Sequence, residues 1–191
     1  MNKPYVSVLI VLLSCVTAST QSEQPSPPSA AGYTNSILGF RYRPPTEMLN
    51  VTESAKADIR NRAEATHSSD TLGMLLAMWS GTDHEAPGWS ALTIETYPRK
   101  AFSDLDDTAA EAKLNAWVMG FSKAVAMPKS AVFSGQSFTM SVFEKEENGM
   151  KKRAMVLTTI RKSTLVAFAF QANSPEQLKA VADSMKSLQF F

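Results

Sequence analysis

Two histidines, one cysteine and a thin scatter of serines and carboxylates are the residues of this chain with the means to do chemistry. His67 lies in His67-Ser68-Ser69-Asp70 and His84 in Asp83-His84-Glu85, both polar, turn-like segments. A metal ion would need His84 together with Asp83 and Glu85. Adjacent side chains point apart and rarely chelate together, so both histidines read as surface loop residues. Ser134-Gly135-Gln136-Ser137 approaches the G-x-S-x-G nucleophile elbow, yet it lacks the second glycine and leads into a strand. The eight glycines are scattered, with no phosphate loop or dinucleotide fingerprint among them. Asp104-Leu105-Asp106-Asp107 has no glycine-spaced calcium-loop pattern and reads as the acidic start of a helix. Ten methionines raise the question of copper, but Met74, Met78, Met119, Met140, Met155 and Met185 fall singly inside elements, as gap-fillers of a core do. Asn50-Val51-Thr52 is a glycosylation sequon, meaningful only in a eukaryotic secretory pathway. The expectation is therefore no catalytic, cofactor-binding or metal-ligating residue, no cofactor, and no enzyme.

Cys15 is the residue whose position suggests a chemistry. Lys3 and the apolar run Val6-Ser7-Val8-Leu9-Ile10-Val11-Leu12-Leu13, followed by small residues, match a secretory signal. The run is too short to span a bilayer. Leu12-Leu13-Ser14-Cys15 resembles a bacterial lipobox, which would make Cys15 an acylated N-terminus after removal of 1–14. Val16-Thr17-Ala18 offers ordinary cleavage after Ala18 instead, and both sites stay open. No cysteine follows residue 15, so the domain has no internal disulfide and no thiolate chemistry. The expected location is outside the cytoplasm, as a periplasmic or membrane-anchored lipoprotein, or secreted.

The 191 residues, 44% hydrophobic and 19% charged, supply one core. With Lys3 gone, 18 basic residues balance 18 acidic ones. A neutral domain has no long-range field for polyanions, which argues against nucleic acid and against polybasic membrane docking. Arg41, Arg43 and Lys151–Arg153 read as solvated strand and turn residues. Residues 19–32, rich in Ser, Pro and Gln, form a disordered linker, leaving 33–191 as one domain.

Within that domain Phe40 and Tyr42 suggest a short strand stopped by Pro44-Pro45. Glu53–Ala65 has helix-favouring composition, with Thr52 as N-cap and Ile59 as its strong apolar residue. Leu72–Trp79 reads as a central strand buried on both faces. After a loop over Ser80–Gly88, Trp89–Tyr97 alternates Leu92 and Ile94 against Thr93 and Glu95. Asp104–Val125 carries the stripe Leu114, Trp117, Val118, Phe121 and Val125, a helix in which Trp117 is expected buried. Phe138, Met140 and Val142 alternate with Ser137, Thr139 and Ser141, and Asn148-Gly149 turns that strand into a partner over Lys151–Arg161. Lys162-Ser163 turns again into Thr164–Gln171. Ser174-Pro175-Glu176-Gln177 opens the last helix with an N-cap, a proline at the first position and a capping box. Hairpin-linked strands between helices define an α+β fold: an antiparallel sheet of five to seven strands flanked by helices.

Leu38-Gly39-Phe40-Arg41-Tyr42-Arg43-Pro44, after Tyr33-Thr34-Asn35, resembles the opening hairpin of the PsbP-like superfamily. Leu165–Ala172, Ser174-Pro175-Glu176 and Ser187-Leu188-Gln189-Phe190 are similar to its closing strand, helix and terminal segment. The resemblance implies an α/β/α sandwich and a non-enzymatic binding or assembly role toward an unknown protein partner at the envelope. The alternative is a small-molecule or metal carrier using a cleft beside the sheet, near Trp79, His84 and Trp89.

Overall fold

The structure, a computed structural model, describes residues 32–58, 73–119, 124–147 and 149–191. The signal segment with Cys15 and Ala18, the linker up to residue 31, His67, Ile59 and Phe121 lie outside the described residues.

Among the described residues ten strands and three α-helices follow one another. They are β1 (Tyr33–Asn35), β2 (Phe40–Tyr42), β3 (Leu49–Asn50), α1 (52–58), β4 (Gly73–Trp79), β5 (Ser90–Pro98) and α2 (Asp107–Met119). Then come β6 (Lys129–Phe133), β7 (Gln136–Glu147), β8 (Met150–Arg161), β9 (Thr164–Ala172), α3 (Pro175–Ala182) and β10 (Gln189–Phe190). Seven strands form one antiparallel sheet in the order β3-β4-β5-β9-β8-β7-β6, and β1-β2-β10 form a small second sheet. The expected α+β class and antiparallel sheet are both present.

Local chemistry explains the connections. The β7–β8 hairpin closes with Glu147 opposite Met150, and Gly149 takes φ +75, the positive value that a two-residue turn requires. Lys162 and Ser163 adopt φ +46 and +60 to close β8 on β9 without a glycine. Ser134-Gly135, at φ +50 and +75, forms a third such turn, between β6 and β7. The elbow-like Ser134–Ser137 string is thus a hairpin tip. Ser174 accepts from the Gln177 backbone N–H at 3.2 Å and caps α3. Asp106 accepts from Ala109 N–H at 2.7 Å and starts α2, so the acidic run is a helix cap.

The alternation of β9 divides the core. Val166, Phe168 and Phe170 face α3 and the small sheet, whose Phe40 and Tyr42 rings sit 5.7 and 5.8 Å from Phe168. Ala167 and Ala169 face α2, and their small side chains leave room for Leu114 and Val118. On the same face Val51, just before α1, and Ala55 within it pack against Met74 and Ala77.

Five expectations change. The described helix at 107–119 ends short of Val125, which is about half exposed and pairs its N–H with Val142 in β7. Trp117 is half-buried at the edge of α2, against Tyr97 and Phe102. β4 lies one place from the sheet edge, flanked outside by the two-residue β3. Thr52 is not a cap: Asn50 accepts its N–H, while the Thr52 hydroxyl accepts from Ala77 of β4. Lys152, read as solvated, is buried, because strand parity turns it to the α2 face beside Ala154.

Candidate functional site

One apolar concavity follows from what α3 leaves partly uncovered. Eight residues long, α3 lies over β9, β5 and β8, while the small sheet caps Phe138 and Phe168 through Phe40 and Phe190. The α3-facing side of β7 around Met140 and Val142, with Met155 of β8, is left only partly covered. Met140 stands opposite Leu157 and Val142 opposite Met155, and these four side chains form the floor of a groove. Phe133 of β6 and Val125 border it, and Leu178 and Ala182 of α3 form its wall. Its volume is about 410 Å³, within the range of sites that take small ligands. Met140, Val142 and Met155 are only partly buried, an uncommon state for three adjacent apolar side chains on a sheet face.

Charge appears only at the margins. Arg153 Nη2 meets Glu144 Oε1 at 2.6 Å at one end. Asp183 follows α3 in a 3₁₀ turn and lies 2.9 Å from both Lys179 and Lys186, whose hydrogen bonds hold its carboxyl below the usual range. Nothing on the floor is a nucleophile, an acid or a base.

A second corner gathers the aromatic residues expected around a cleft. Trp79, His84 and Trp89 do come together, the imidazole lying edge-on between the indoles at 4.6 and 5.0 Å. The ring therefore fills the space a ligand would need. The 80–88 loop is pinned there by Trp89 Nε1 donating to Gly81 O at 3.2 Å and by Asn173 Nδ2 donating to the His84 and Ala86 carbonyls. Burial, with Lys152 nearby, lowers the His84 pKa and so disfavours the charged ring. Trp79 Nε1, His84 Nδ1 and Asn173 Oδ1 are buried without hydrogen-bond partners among the described residues. A more polar cleft of about 560 Å³ opens beside this corner, between Glu47, Asp83 and Gln177.

The α2 face of the sheet buries polar groups. Glu95 is fully buried, accepting from Thr93 Oγ1 at 2.8 Å and Tyr97 Oη at 3.1 Å. Burial pushes its carboxyl up to about 7. Asn115 of α2 donates to Thr139 O and Ser141 Oγ and accepts from Thr158 Oγ1, tying the helix to β7 and β8. Glu111 accepts from Thr139 Oγ1 at 2.6 Å, and burial raises its pKa. These hydrogen bonds form structural networks inside the α2-facing layer. Met74, Met78, Met119 and Met185 are buried in the core as expected, whereas Met140 and Met155 line the groove. Among the described residues no three or more His, Cys, Asp or Glu side chains are grouped to hold a metal, and no helix is long and apolar enough to cross a membrane.

No known protein family and no characterised protein sequence matches the chain. Among solved structures it is similar to LpqN of Mycobacterium tuberculosis, a protein involved in cell envelope biogenesis. The TM-score is 0.39 with 9% sequence identity, over 63% of this chain and 78% of that one. A likeness this loose carries nothing about the ligand, partner or location of the present chain, and it does not name the PsbP-like superfamily.

Proposed function

We propose that this chain is an exported, non-catalytic binding protein whose groove beside α3 holds the apolar part of a ligand. The carrying observation is the partly covered apolar floor of Met140, Val142 and Met155 beside buried Leu157, walled by Leu178 and Ala182. A folded domain keeps such surface open at a cost, since each buried apolar side chain contributes about 1.5–3 kcal/mol. Two floor positions are methionine, whose flexible thioether adapts to differing shapes. Export is supported by the Lys3–Leu13 segment and the small residues after it. The carrier reading thus moves from the Trp79–His84–Trp89 corner to the opposite face of the sheet.

Fluorescence titration of the exported protein with a dansylated fatty acid tests this. Saturable enhancement is expected, and it should be lost in Met155→Arg and in Ala182→Trp, which charges or fills the groove. Thermal melts of both variants confirm folding. Equal binding by the folded variants and the parent overturns the proposal.

A protein partner is the second reading, favoured by exposed Met127 and Val132 beside and on the edge strand β6. Cross-linking in the native envelope should lose its product in Met127→Glu/Val132→Lys if that reading holds.

A further inference from the structure

Resting on the groove as a ligand site, we infer that its ligand is an amphiphile with one alkyl chain and an anionic head, a carboxylate or a phosphate, seated at the α3 rim. The floor residues Met140, Val142, Met155 and Leu157 present no polar atom beyond thioether sulfur. They recognise hydrocarbon without direction or functional group. Selectivity must come from the margins, and the two margins differ in charge. At the β7–β8 end, Glu144 and Arg153 close on one another at 2.6 Å as a neutral pair. Along the α3 rim, two cations, Lys179 and Lys186, share the single carboxylate of Asp183, each at 2.9 Å. That rim therefore carries one surplus positive charge, next to the apolar wall made by Leu178 and Ala182.

The lysine side chains are 77% and 74% exposed, so their bonds to Asp183 are weak and readily shared with an incoming anion. A cationic head would instead meet two like charges and a carboxylate already occupied. The floor accommodates chains of differing shape through Met140 and Met155, while the rim sets the sign of the head.

Displacement of the dansylated probe by matched amphiphiles, below their micelle concentrations, reads both parts. The competitors are dodecanoate, dodecyl phosphate, dodecanol and dodecyltrimethylammonium, against the exported protein. The anions are expected to bind about three- to fivefold more tightly than the ammonium, the scale of one exposed charge contact. The order should reverse in Lys179→Glu/Lys186→Glu. Preference for the carboxylate would indicate a free fatty acid, and preference for the phosphate a lysophospholipid; both support the inference. Equal displacement by all four competitors, or an order unchanged in the double variant, overturns the anionic head and leaves the groove standing. Displacement by none of them overturns the groove and the head together.

Discussion

Replacing Glu95 by glutamine should make the domain more stable, and more so as the pH rises. Glu95 has no exposed surface, and its cross-strand neighbours are Met74 on β4 and Ala167 on β9, neither able to compensate a charge. Its hydrogen bonds come from two neutral hydroxyls. The carboxyl is consequently pushed from an ordinary value near 4.5 up to about 7. Below pH 4.5 folded and unfolded chains both hold the proton, and Glu95 adds no pH dependence. Between there and pH 7 the unfolded chain releases the proton while the folded one keeps it, so stability falls as pH rises. Above pH 7 the folded state must bury the charge. At about 1.4 kcal/mol per pH unit, the full penalty is roughly 3 kcal/mol. Glutamine keeps the shape and its oxygen still accepts one hydroxyl. Urea denaturation of Glu95→Gln and the parent at pH 5 and pH 8.5 should therefore give a difference that grows by about 2–3 kcal/mol in favour of the variant. Comparing the two proteins cancels the other titrating groups, His84 and Glu111 among them. A difference that stays constant from pH 5 to pH 8.5 would refute the reasoning.

Asn115→Leu should cost about 1–3 kcal/mol in denaturant titrations, because it removes the amide that partners the buried Thr158 and Ser141 hydroxyls of β8 and β7. Phe168→Ala, at the junction of β9, the small sheet and Phe138, should cost about 3–5 kcal/mol; Trp117→Ala, half-buried, should cost clearly less by the same assay. Ala167→Leu should cost about 1–3 kcal/mol by forcing α2 away from β9, and a stability equal to the parent's would show slack in that layer. Ser174→Ala should cost about 1 kcal/mol through loss of the α3 cap, read as a lowered melting midpoint.

Local chemistry was legible wherever a turn or cap fixes the backbone. Asn148-Gly149 located the β7–β8 hairpin, and Ser174-Pro175 located α3, because each dictates its conformation within a few residues. The alternation of phenylalanine with alanine in β9 correctly divided the two faces. β6 escaped because Lys129-Ser130-Ala131-Val132-Phe133 is a short edge strand with no clean alternation, and Ser134-Gly135 was weighed as an elbow rather than a turn. The burial of Glu95 and Lys152 was invisible for a different reason. Period-two reasoning assumes one wet face, and here both faces are covered, by α3 on one side and by α1 and α2 on the other. The groove was the least legible feature. Met140 and Val142 look like core residues in sequence, and only the reach of α3 decides that they are half-covered. The sequence reading named Trp79, His84 and Trp89 as the surroundings of a cleft, whereas the imidazole packs directly between the two indoles.

The central claim, that an apolar chain lies on the α3-facing side of β7 and β8, is tested most directly by methyl resonances of ¹³C-labelled methionine during titration with dodecanoate. Met140 and Met155 report the groove floor, while Met74 and Met119 report the opposite face of the same sheet. Saturable shifts of the Met140 and Met155 methyls, with Met74 and Met119 unmoved, are the predicted result. Shifts confined to Met74 and Met119, or no shift at any of the four, would contradict it.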